Sequence, residues 1–273
     1  MRPDLHSHTT YSDGTLEPED LVSAAQKLGI THLGISDHDS TGALDTAREK
    51  AREFGMEIIP AIEINTRELT PIHVLGYFIE DKNEDFQKIL NRHREIREKR
   101  AEMILEKLSR MGIKIALSDF RTRVGGAAIG RPHIADKLRE KGVVFSRQEA
   151  FDKFLARGKA AYVFYEGPTP KEAIDAILSA KGVPVVAHPG FSVSPETLTE
   201  LIRLGLAGIE AYYPSHNPDQ VRNFLDFAKK NDLVVTGGSD YHGPGSGHER
   251  LGEIDVPEGT VESLLERKKE IFG

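Results

Sequence analysis

The chain has 273 residues, and its 36 Lys and Arg against 43 Asp and Glu give a formal net charge of −7. This length predicts one to two domains with a sizeable buried core. No apolar run approaches the ~20 residues of a membrane span, and the amino terminus lacks the apolar stretch of a secretory signal, so we expect a cytoplasmic protein that does not contact a membrane.

The lack of cysteine and the low isoelectric point exclude or disfavour several kinds of site and partner. Because the chain has no cysteine, disulfides, Cys-ligated zinc and a thiol nucleophile are excluded. A pI near 5.9 argues against a long nucleic acid as partner, unless bound metal supplies the positive charge. The sequence carries no signal of oligomeric state.

Short apolar runs alternate with amphipathic stretches along most of the chain, which is typical of an α/β protein with a parallel sheet. The runs are rich in Val, Ile and Leu without polar alternation, as expected of strands covered on both faces. The seven predicted strands are Pro3–His8, His32–Asp37, Glu57–Asn65, His73–Phe78, Pro184–His188, Gly208–Tyr213 and Leu233–Ser239. We therefore predict a seven-stranded (β/α)7 barrel.

This alternation breaks between residues 81 and 165. A long charged helix is predicted over Phe86–Arg110, followed by shorter helices over Pro132–Lys141 and Arg147–Ala156, with no convincing strand. We predict a helical insertion, a lid or substrate subdomain, at 81–165, between barrel segments 1–80 and 166–273. His93 lies among Arg and Glu on the long helix and is predicted to be a surface residue.

Histidine and acidic residues recur where the predicted strands end, the functional end of a parallel barrel. Because His6 and His8 are two residues apart on a strand, they share one face. Imidazole and carboxylate together are ligands for Zn, Mn or Fe, and core packing gives no reason to place them there. The predicted metal-centre residues are His6, His8, Asp13, Asp37, His38, Glu63, His73, His188, Asp240 and His242.

Several of the histidines and acidic residues also allow a role other than metal binding. Asp13 also suits a turn before Gly14. Asp37 is predicted to orient a ligating histidine rather than to bind metal itself. His73 follows a predicted turn at Pro71 and could face away from the site. His32 lies at the wrong end of its strand and is predicted to be structural or solvent-facing.

The order of the motifs resembles the PHP (polymerase and histidinol phosphatase) family over essentially the whole chain. The matching motifs are Asp4-Leu5-His6-Ser7-His8-Thr9, Ser36-Asp37-His38-Asp39, Glu63, His188-Pro189 and Ser239-Asp240-Tyr241-His242. The resemblance implies a metal-dependent phosphoesterase with a distorted seven-stranded barrel. Ile129-Gly130-Arg131-Pro132-His133-Ile134 is similar to the subgroup that removes phosphate from small nucleotides, notably nucleoside 3′,5′-bisphosphates.

The resemblance also implies three metal sites. In the first, His6, His8, Glu63 and Asp240 would hold one ion. Glu63 would bridge to a second ion bound by His73 and His188, and Asp13, His38 and His242 would hold a third. The expected cofactors are therefore two or three divalent ions, Mn, Zn or Fe. Many relatives have a histidine where this chain has Asp13, so an aspartate there could weaken or empty the third site.

The charge of this predicted centre favours a phosphate substrate. Three divalent ions carry +6 and the carboxylates of Asp13, Glu63 and Asp240 return −3, which leaves +3 for a phosphate dianion and a hydroxide. We expect a hydroxide between the first two ions to attack phosphorus in line. Arg131 is the natural bidentate phosphate clamp, and His133 and His216 could bind phosphate or assist the leaving oxygen.

Alternatives to these substrate-binding roles remain open. Arg131 could instead form a surface ion pair, and His216 could belong to a helix-capping turn. His248, in a Gly-rich loop, could belong to the site or to the surface.

The predicted function is hydrolysis of a phosphomonoester of a small nucleotide-like substrate, with the 3′-phosphate of nucleoside 3′,5′-bisphosphates as the preferred case. Alternatives within the class are a phosphoribosyl cyclic phosphate phosphodiesterase, a 5′-to-3′ exonuclease on short RNA and a histidinol-phosphate phosphatase. Outside the class, the same metal set could hydrolyse amides or lactones, or the barrel could be a non-enzymatic assembly module.

Overall fold

The computed structural model describes residues 1–67, 72–120, 127–190 and 193–273, so the turn predicted at Pro71 lies outside the described residues. One seven-stranded sheet runs in chain order from β1 to β7. Its strands are β1 Pro3–Asp4, β2 His32–Ile35, β3 Glu57–Asn65, β4 His73–Tyr77, β5 Val183–Val186, β6 Gly208–Tyr212 and β7 Val234–Gly237. All seven predicted strands are therefore present, several of them shortened at their carboxyl ends.

The helices follow the strands as in a β/α barrel. Three of the described helices begin with Pro at the first helical position after a side-chain cap, as at Thr169, whose hydroxyl accepts a hydrogen bond from the Glu172 amide. The helices are α1 Pro18–Lys27, α2 Leu44–Arg52, α3 Glu84–Arg110, α4 Arg131–Glu140, α5 Arg147–Ala150, α6 Pro170–Ser179, α7 Pro195–Arg203, α8 Pro218–Lys230 and α9 Thr260–Phe272. Within the described ranges, no helix combines the length and the apolar character needed to cross a membrane.

The sheet closes into a distorted barrel through contacts between its first and last strands. The Leu5 amide donates to the Gly237 carbonyl at 3.2 Å, and Ser7 forms an isolated parallel bridge with Tyr241. The buried Asp4 carboxylate accepts hydrogen bonds from the Ser239 amide and hydroxyl at 2.9 and 2.6 Å. A side chain thus supplements the main-chain contacts that close the barrel between β1 and β7.

The prediction of a parallel sheet is wrong at β4. This strand pairs antiparallel with both β3 and β5, while the other pairs are parallel. An antiparallel neighbour needs only a short connection, and only seven residues separate Asn65 from His73. The amino end of β4 therefore lies at the mouth where β3 and β5 have their carboxyl ends.

The segment between β4 and α6 is helical, with a 3₁₀ turn at Leu117–Phe120 and a π-helical turn at Phe151–Leu155. The carboxyl-terminal half of α3 packs with α4 and the π-helical turn in an apolar cluster that includes Ile104, Leu108 and Leu138. The amino-terminal half of α3, through Phe86 and Leu90, joins the barrel cluster instead. The division into barrel and insertion stays a prediction.

Candidate metal centre

Side chains from six strands and their loops meet at one mouth of the barrel. His6 and His8 follow β1, His38 follows β2, Glu63 lies in β3, His188 follows β5 and Asp240 follows β7. His73 begins β4 and reaches the same mouth because that strand runs antiparallel. The carboxyl-end rule could not place His73 there, since the rule assumes parallel strands.

The first group consists of four fully or almost fully buried side chains. His6 Nε2 lies 3.2 Å from His8 Nε2, 3.4 Å from Glu63 Oε2 and 3.1 Å from Asp240 Oδ1. His8 Nε2 lies 3.3 and 3.2 Å from the same two carboxylate atoms. Ligands about 2.0–2.1 Å from a tetrahedral ion stand roughly 3.3–3.4 Å apart, so these spacings fit one ion at the centre.

Glu63 links this group to a second one. Its Oε2 belongs to the first group, while its Oε1 lies 2.8 Å from His73 Nδ1 and 3.1 Å from His188 Nε2. Each oxygen of one carboxylate thus faces a different set of imidazole nitrogens. A carboxylate in this position can bridge two cations, as the sequence interpretation supposes.

The third group surrounds Asp13, which follows β1. Asp13 Oδ1 lies 3.2 Å from His242 Nε2, 3.7 Å from His38 Nε2 and 3.9 Å from His8 Nδ1. The His8 and His242 rings stack with centroids 4.1 Å apart. These wider spacings fit a cation less closely than those of the first group, in keeping with the departure at Asp13.

Several polar atoms of these groups are buried without a hydrogen-bond partner. They are Asp13 Oδ1, Glu63 Oε2, Asp240 Oδ1 and His38 Nδ1. Burying an unpaired carboxylate oxygen costs several kcal/mol, on the order of 1–3 or more. Since the unpaired atoms converge on common points and belong to side chains that bind first-row metals, the residues present fit divalent cations.

The sequence interpretation missed Glu210, a carboxylate that holds residues of the first two groups in place. Glu210 is fully buried in β6, with Oε1 2.9 Å from His6 Nδ1 and Oε2 accepting the His188 backbone N–H at 2.7 Å. Because the carboxylate accepts the Nδ1–H of His6, it fixes the tautomer of that ring and leaves the lone pair of Nε2 directed at the first group. A single acidic residue within the apolar run Gly208–Tyr212 was the available signal.

Asp37 also lies behind the ligand groups, as its predicted role requires. Its carboxylate accepts hydrogen bonds from the Thr9 amide and hydroxyl and, at 2.5 Å, from the Ser12 hydroxyl. The Ser12 oxygen is in turn 3.3 Å from His8 Nδ1. Asp37 therefore reaches His8 through Ser12 rather than directly.

Electrostatics distinguishes the imidazoles from one another. Burial lowers the pKa of His8, but hydrogen bonds and charge from Asp240 and Glu63 outweigh it and raise the pKa to about 10. Burial dominates at His38 and lowers its pKa to about 3, so that ring is neutral at pH 7. Burial raises the pKa of Glu63, but the surrounding histidines outweigh burial and hold that pKa well below its ordinary value. His38 makes the largest contribution among them.

Three of the six described non-glycine residues with positive φ lie at the same mouth. Asp39, His188 and Asp240 have φ values of 51°, 25° and 51°, a region that residues with a Cβ rarely occupy. Such conformations cost on the order of 1–3 kcal/mol each and persist where surrounding contacts enforce them. Here they turn the chain sharply after β2, β5 and β7, at or beside His38, His188 and Asp240 of the three groups.

The prediction that His93 is a surface residue is wrong. Its side chain is buried, and Nδ1 lies 3.1 Å from Asp39 Oδ1. Arg97, one turn further along α3, donates from Nε to Asp39 Oδ2 at 2.6 Å. Phe86, Leu90, His93 and Arg97 are spaced to share one helix face, which packs on the barrel, so the charged sequence neighbours of His93 were misleading.

The ligand groups open into a cleft of about 490 Å³ between the barrel mouth and the helical segment. Residues from α5 and the π-helical turn form its far wall, among them Arg147 and Phe151. Arg147 pairs with Asp136 through two hydrogen bonds at 2.7 and 2.5 Å and was not singled out from the sequence. His248 also lines the cleft, 3.6 Å from Asp240.

The three predicted substrate-binding residues lie near this cleft but are not among its described lining residues. The Arg131 guanidinium lies over the Phe151 ring at 5.4 Å. His133 accepts the Gly130 N–H at Nδ1 (2.8 Å) and donates from Nε2 to the Ser12 carbonyl (3.0 Å). His216 likewise contacts two backbone groups, the Ala211 carbonyl and the Gly190 amide. Their substrate-binding roles stay predictions.

Comparison with known proteins agrees with this geometry. A profile of the PHP domain matches residues 4–110. The chain is 36% identical over 249 residues to the 5′-3′ exoribonuclease Rnm of Escherichia coli (strain K12), covering 88% of this chain and 85% of that protein. It is 31% identical over 262 residues to the 3′,5′-nucleoside bisphosphate phosphatase of Chromobacterium violaceum, covering 93% and 92%.

A solved structure from Bifidobacterium adolescentis, described as a metal-dependent phosphoesterase, superposes with a TM-score of 0.90 at 34% identity and covers 97% of this chain and 96% of that one. A superposition that covers 97% of the chain extends over both the barrel and the helical segment. The chain belongs to the PHP family of phosphoester hydrolases.

Proposed function

We propose that this metal-dependent phosphoesterase removes the 3′-phosphate from nucleoside 3′,5′-bisphosphates. The observation that carries the proposal is the set of three His and carboxylate groups, joined through His8 and Glu63, at the mouth of a cleft of about 490 Å³. A cleft of this size suits a ligand of mononucleotide dimensions.

The residues that would hold the ions are those of the three groups. We propose two or three ions per chain, Mn, Zn or Fe, with His6, His8 and Asp240 on one side of Glu63 and His73 and His188 on the other. Asp13, His38 and His242 would complete the third site. Bound divalent ions would supply positive charge for the phosphoryl oxygens and activate a water near neutral pH.

Residues outside the ligand groups keep this centre rigid. Glu210 holds His6 by its Nδ1–H, and Asp37 holds Ser12 against His8. The Tyr213 hydroxyl donates to Asp240 Oδ2 at 3.0 Å, which leaves Oδ1 directed at the first group. Burial raises the pKa of Tyr213 far above its ordinary value, so this hydroxyl keeps its proton. Each contact restricts the rotation of a side chain that metal binding would otherwise have to restrict.

Sequence similarity supports the nucleotide substrate. The Chromobacterium violaceum relative is named for nucleoside bisphosphates, and the segment Ile129–Ile134 resembles that subgroup. Arg131 remains the proposed phosphate clamp. Arg147, already held by Asp136 in the cleft wall, is a second cation within reach of an anionic ligand there.

A second candidate is hydrolysis at the 5′ end of short RNA, favoured by the similarity to the Escherichia coli exoribonuclease. The two candidates require related chemistry. Cleavage between phosphorus and the 3′ oxygen of a 5′-phosphorylated nucleoside releases phosphate when the 3′-phosphoryl group is free. The same cleavage releases a 5′-mononucleotide when that group is esterified to the next residue.

The test is phosphate release from a nucleoside 3′,5′-bisphosphate with added Mn²⁺. Glu63→Gln should abolish turnover, because Gln cannot offer a charged oxygen to each group. His32→Ala is the matched control, since His32 contacts Glu57 at the opposite end of β2 and should leave turnover unchanged. Full turnover by Glu63→Gln, or by the wild type after chelation, would refute the metal mechanism.

A further inference from the structure

A second concave surface lies on the helical segment and shares none of its described lining residues with the metal cleft. It is formed by one face of α3 and the segment 162–166 and encloses about 680 Å³. We call it the α3 groove. Two hydrogen bonds fix its walls together, from Arg100 Nε to the Val163 carbonyl at 3.0 Å and from Lys107 Nζ to the Tyr162 carbonyl at 2.6 Å.

The α3 groove is cationic although the chain is acidic. Arg92, Lys99, Arg100 and Lys107 line it, with Glu166 the only acidic residue among its described lining residues. That composition gives a formal charge of 4 − 1 = +3 in a protein of net charge −7. Arg92 and Lys99 are exposed, and their spacing along α3 places them on one face. This concentration of charge indicates an anionic ligand.

Aromatic side chains face the same groove. From residue 161 to 167 buried and less buried positions alternate, so Val163 and Tyr165 point inward while Tyr162 and Phe164 point outward. Phe164 is 46% exposed, and Met103 opposite it on α3 is 47% exposed. Apolar rings held open beside cations are the combination with which proteins bind single-stranded nucleic acid, phosphates on the cations and bases on the rings.

Three side chains, Arg100, Arg131 and Phe151, connect the groove with the metal cleft. Arg100, in the groove, lies close enough to Arg131 that the like charges, together with burial as the larger cause, lower the pKa of Arg100 to about 10. The Arg131 guanidinium lies over Phe151, and Phe151 lines the metal cleft. Arg131 therefore has one neighbour in the cleft, Phe151, and one in the groove, Arg100, so the two concave surfaces adjoin each other at this residue.

We propose that the α3 groove binds the downstream part of a single-stranded RNA whose 5′ end lies in the metal cleft. Arg92 and Lys107 are 15 residues apart, about 22 Å along the helix axis, which is room for several nucleotides. This inference rests on the proposed function, which places a nucleotide in the metal cleft. The groove itself requires no ion.

The test measures binding of a fluorescently labelled, 5′-phosphorylated RNA octanucleotide with phosphorothioate linkages by anisotropy, using the metal-loaded protein. Lys99→Glu should weaken binding about tenfold and reduce the salt dependence by roughly one phosphate contact. Phe164→Ala should weaken binding about tenfold without changing the salt dependence. Lys229→Glu, the same charge change at an exposed position on α8, is the matched control and should bind like the wild type.

Hydrolysis of a nucleoside bisphosphate is measured in parallel and should be unchanged in all three variants, because the small substrate does not reach the groove. If Lys99→Glu and Phe164→Ala bind RNA like the wild type, the inference is wrong. It is also wrong if a polyglutamate peptide competes as well as unlabelled RNA, since the groove would then be a surface for acidic proteins. If bisphosphate is not hydrolysed while RNA binding depends on Lys99 and Phe164, the proposed substrate fails and the groove is supported.

Discussion

Glu210 offers the sharpest test of how the protein organises its metal centre. Each oxygen of this carboxylate accepts one hydrogen bond, Oε1 from the His6 ring and Oε2 from the His188 amide. In Glu210→Gln the side chain keeps its shape but has a single acceptor. One donor must then face an NH₂ group, or the His6 ring must change tautomer and place a proton on the nitrogen that faces the first group.

The cost of this substitution follows from burial. Glu210 and His6 are both fully buried, so water cannot replace the lost acceptor, and an unsatisfied buried donor costs about 1–3 kcal/mol. Loss of a partner that orients a ligating histidine weakens metal binding by about 10- to 100-fold, which corresponds to roughly 1.4–2.7 kcal/mol. The two estimates agree, and we expect Glu210→Gln to weaken metal binding within that range.

The measurement is a calorimetric titration of metal-free protein with Mn²⁺ or Zn²⁺, comparing the wild type with Glu210→Gln. Glu57→Gln, an exposed carboxylate at the start of β3, is the matched control and should bind metal like the wild type. Phosphate release at saturating metal should recover in part, because the ligands themselves remain. A dissociation constant for Glu210→Gln within twofold of the wild type would refute the orienting role.

Two further predictions concern stability. Burial raises the pKa of Asp39, but Arg97 and His93 outweigh burial and lower the pKa from 3.8 to about 2. The ionised Asp39 carboxylate therefore stabilises the fold by about 2 kcal/mol above pH ~4, and this contribution is lost as the pH falls through 2. Urea unfolding should therefore show the gap between wild type and Asp39→Asn narrowing by about 1 kcal/mol from pH 6 to pH 3, and a constant gap would contradict this. Phe86→Ala should lower the free energy of unfolding by about 3–5 kcal/mol, because the ring is fully buried in the barrel cluster, whereas Phe145→Ala, at a ring 91% exposed, should have almost no effect.

The sequence predicted that these histidines and carboxylates meet at one mouth of the barrel, because that placement depends on short-range rules. The period of two along a strand puts His6 and His8 on one face, and parallel strands carry their carboxyl ends to one mouth. The same rules failed at β4, where a short connection reverses the strand and brings His73 to the mouth by its amino end. They also missed Glu210 and the burial of His93, whose partners lie 204 and 54 residues away along the chain.

The sequence by itself determined the chemical type of the predicted centre, since histidines and carboxylates recur where the barrel strands end and the chain has no cysteine. The tertiary structure alone decided which nitrogen of His6 is free, which atoms stay unpaired, and how α3 and the segment 162–166 combine into a groove. These properties depend on pairs of groups brought together from distant parts of the chain. Local propensity carries no information about such pairs, because their energies arise only once packing has excluded water from both partners.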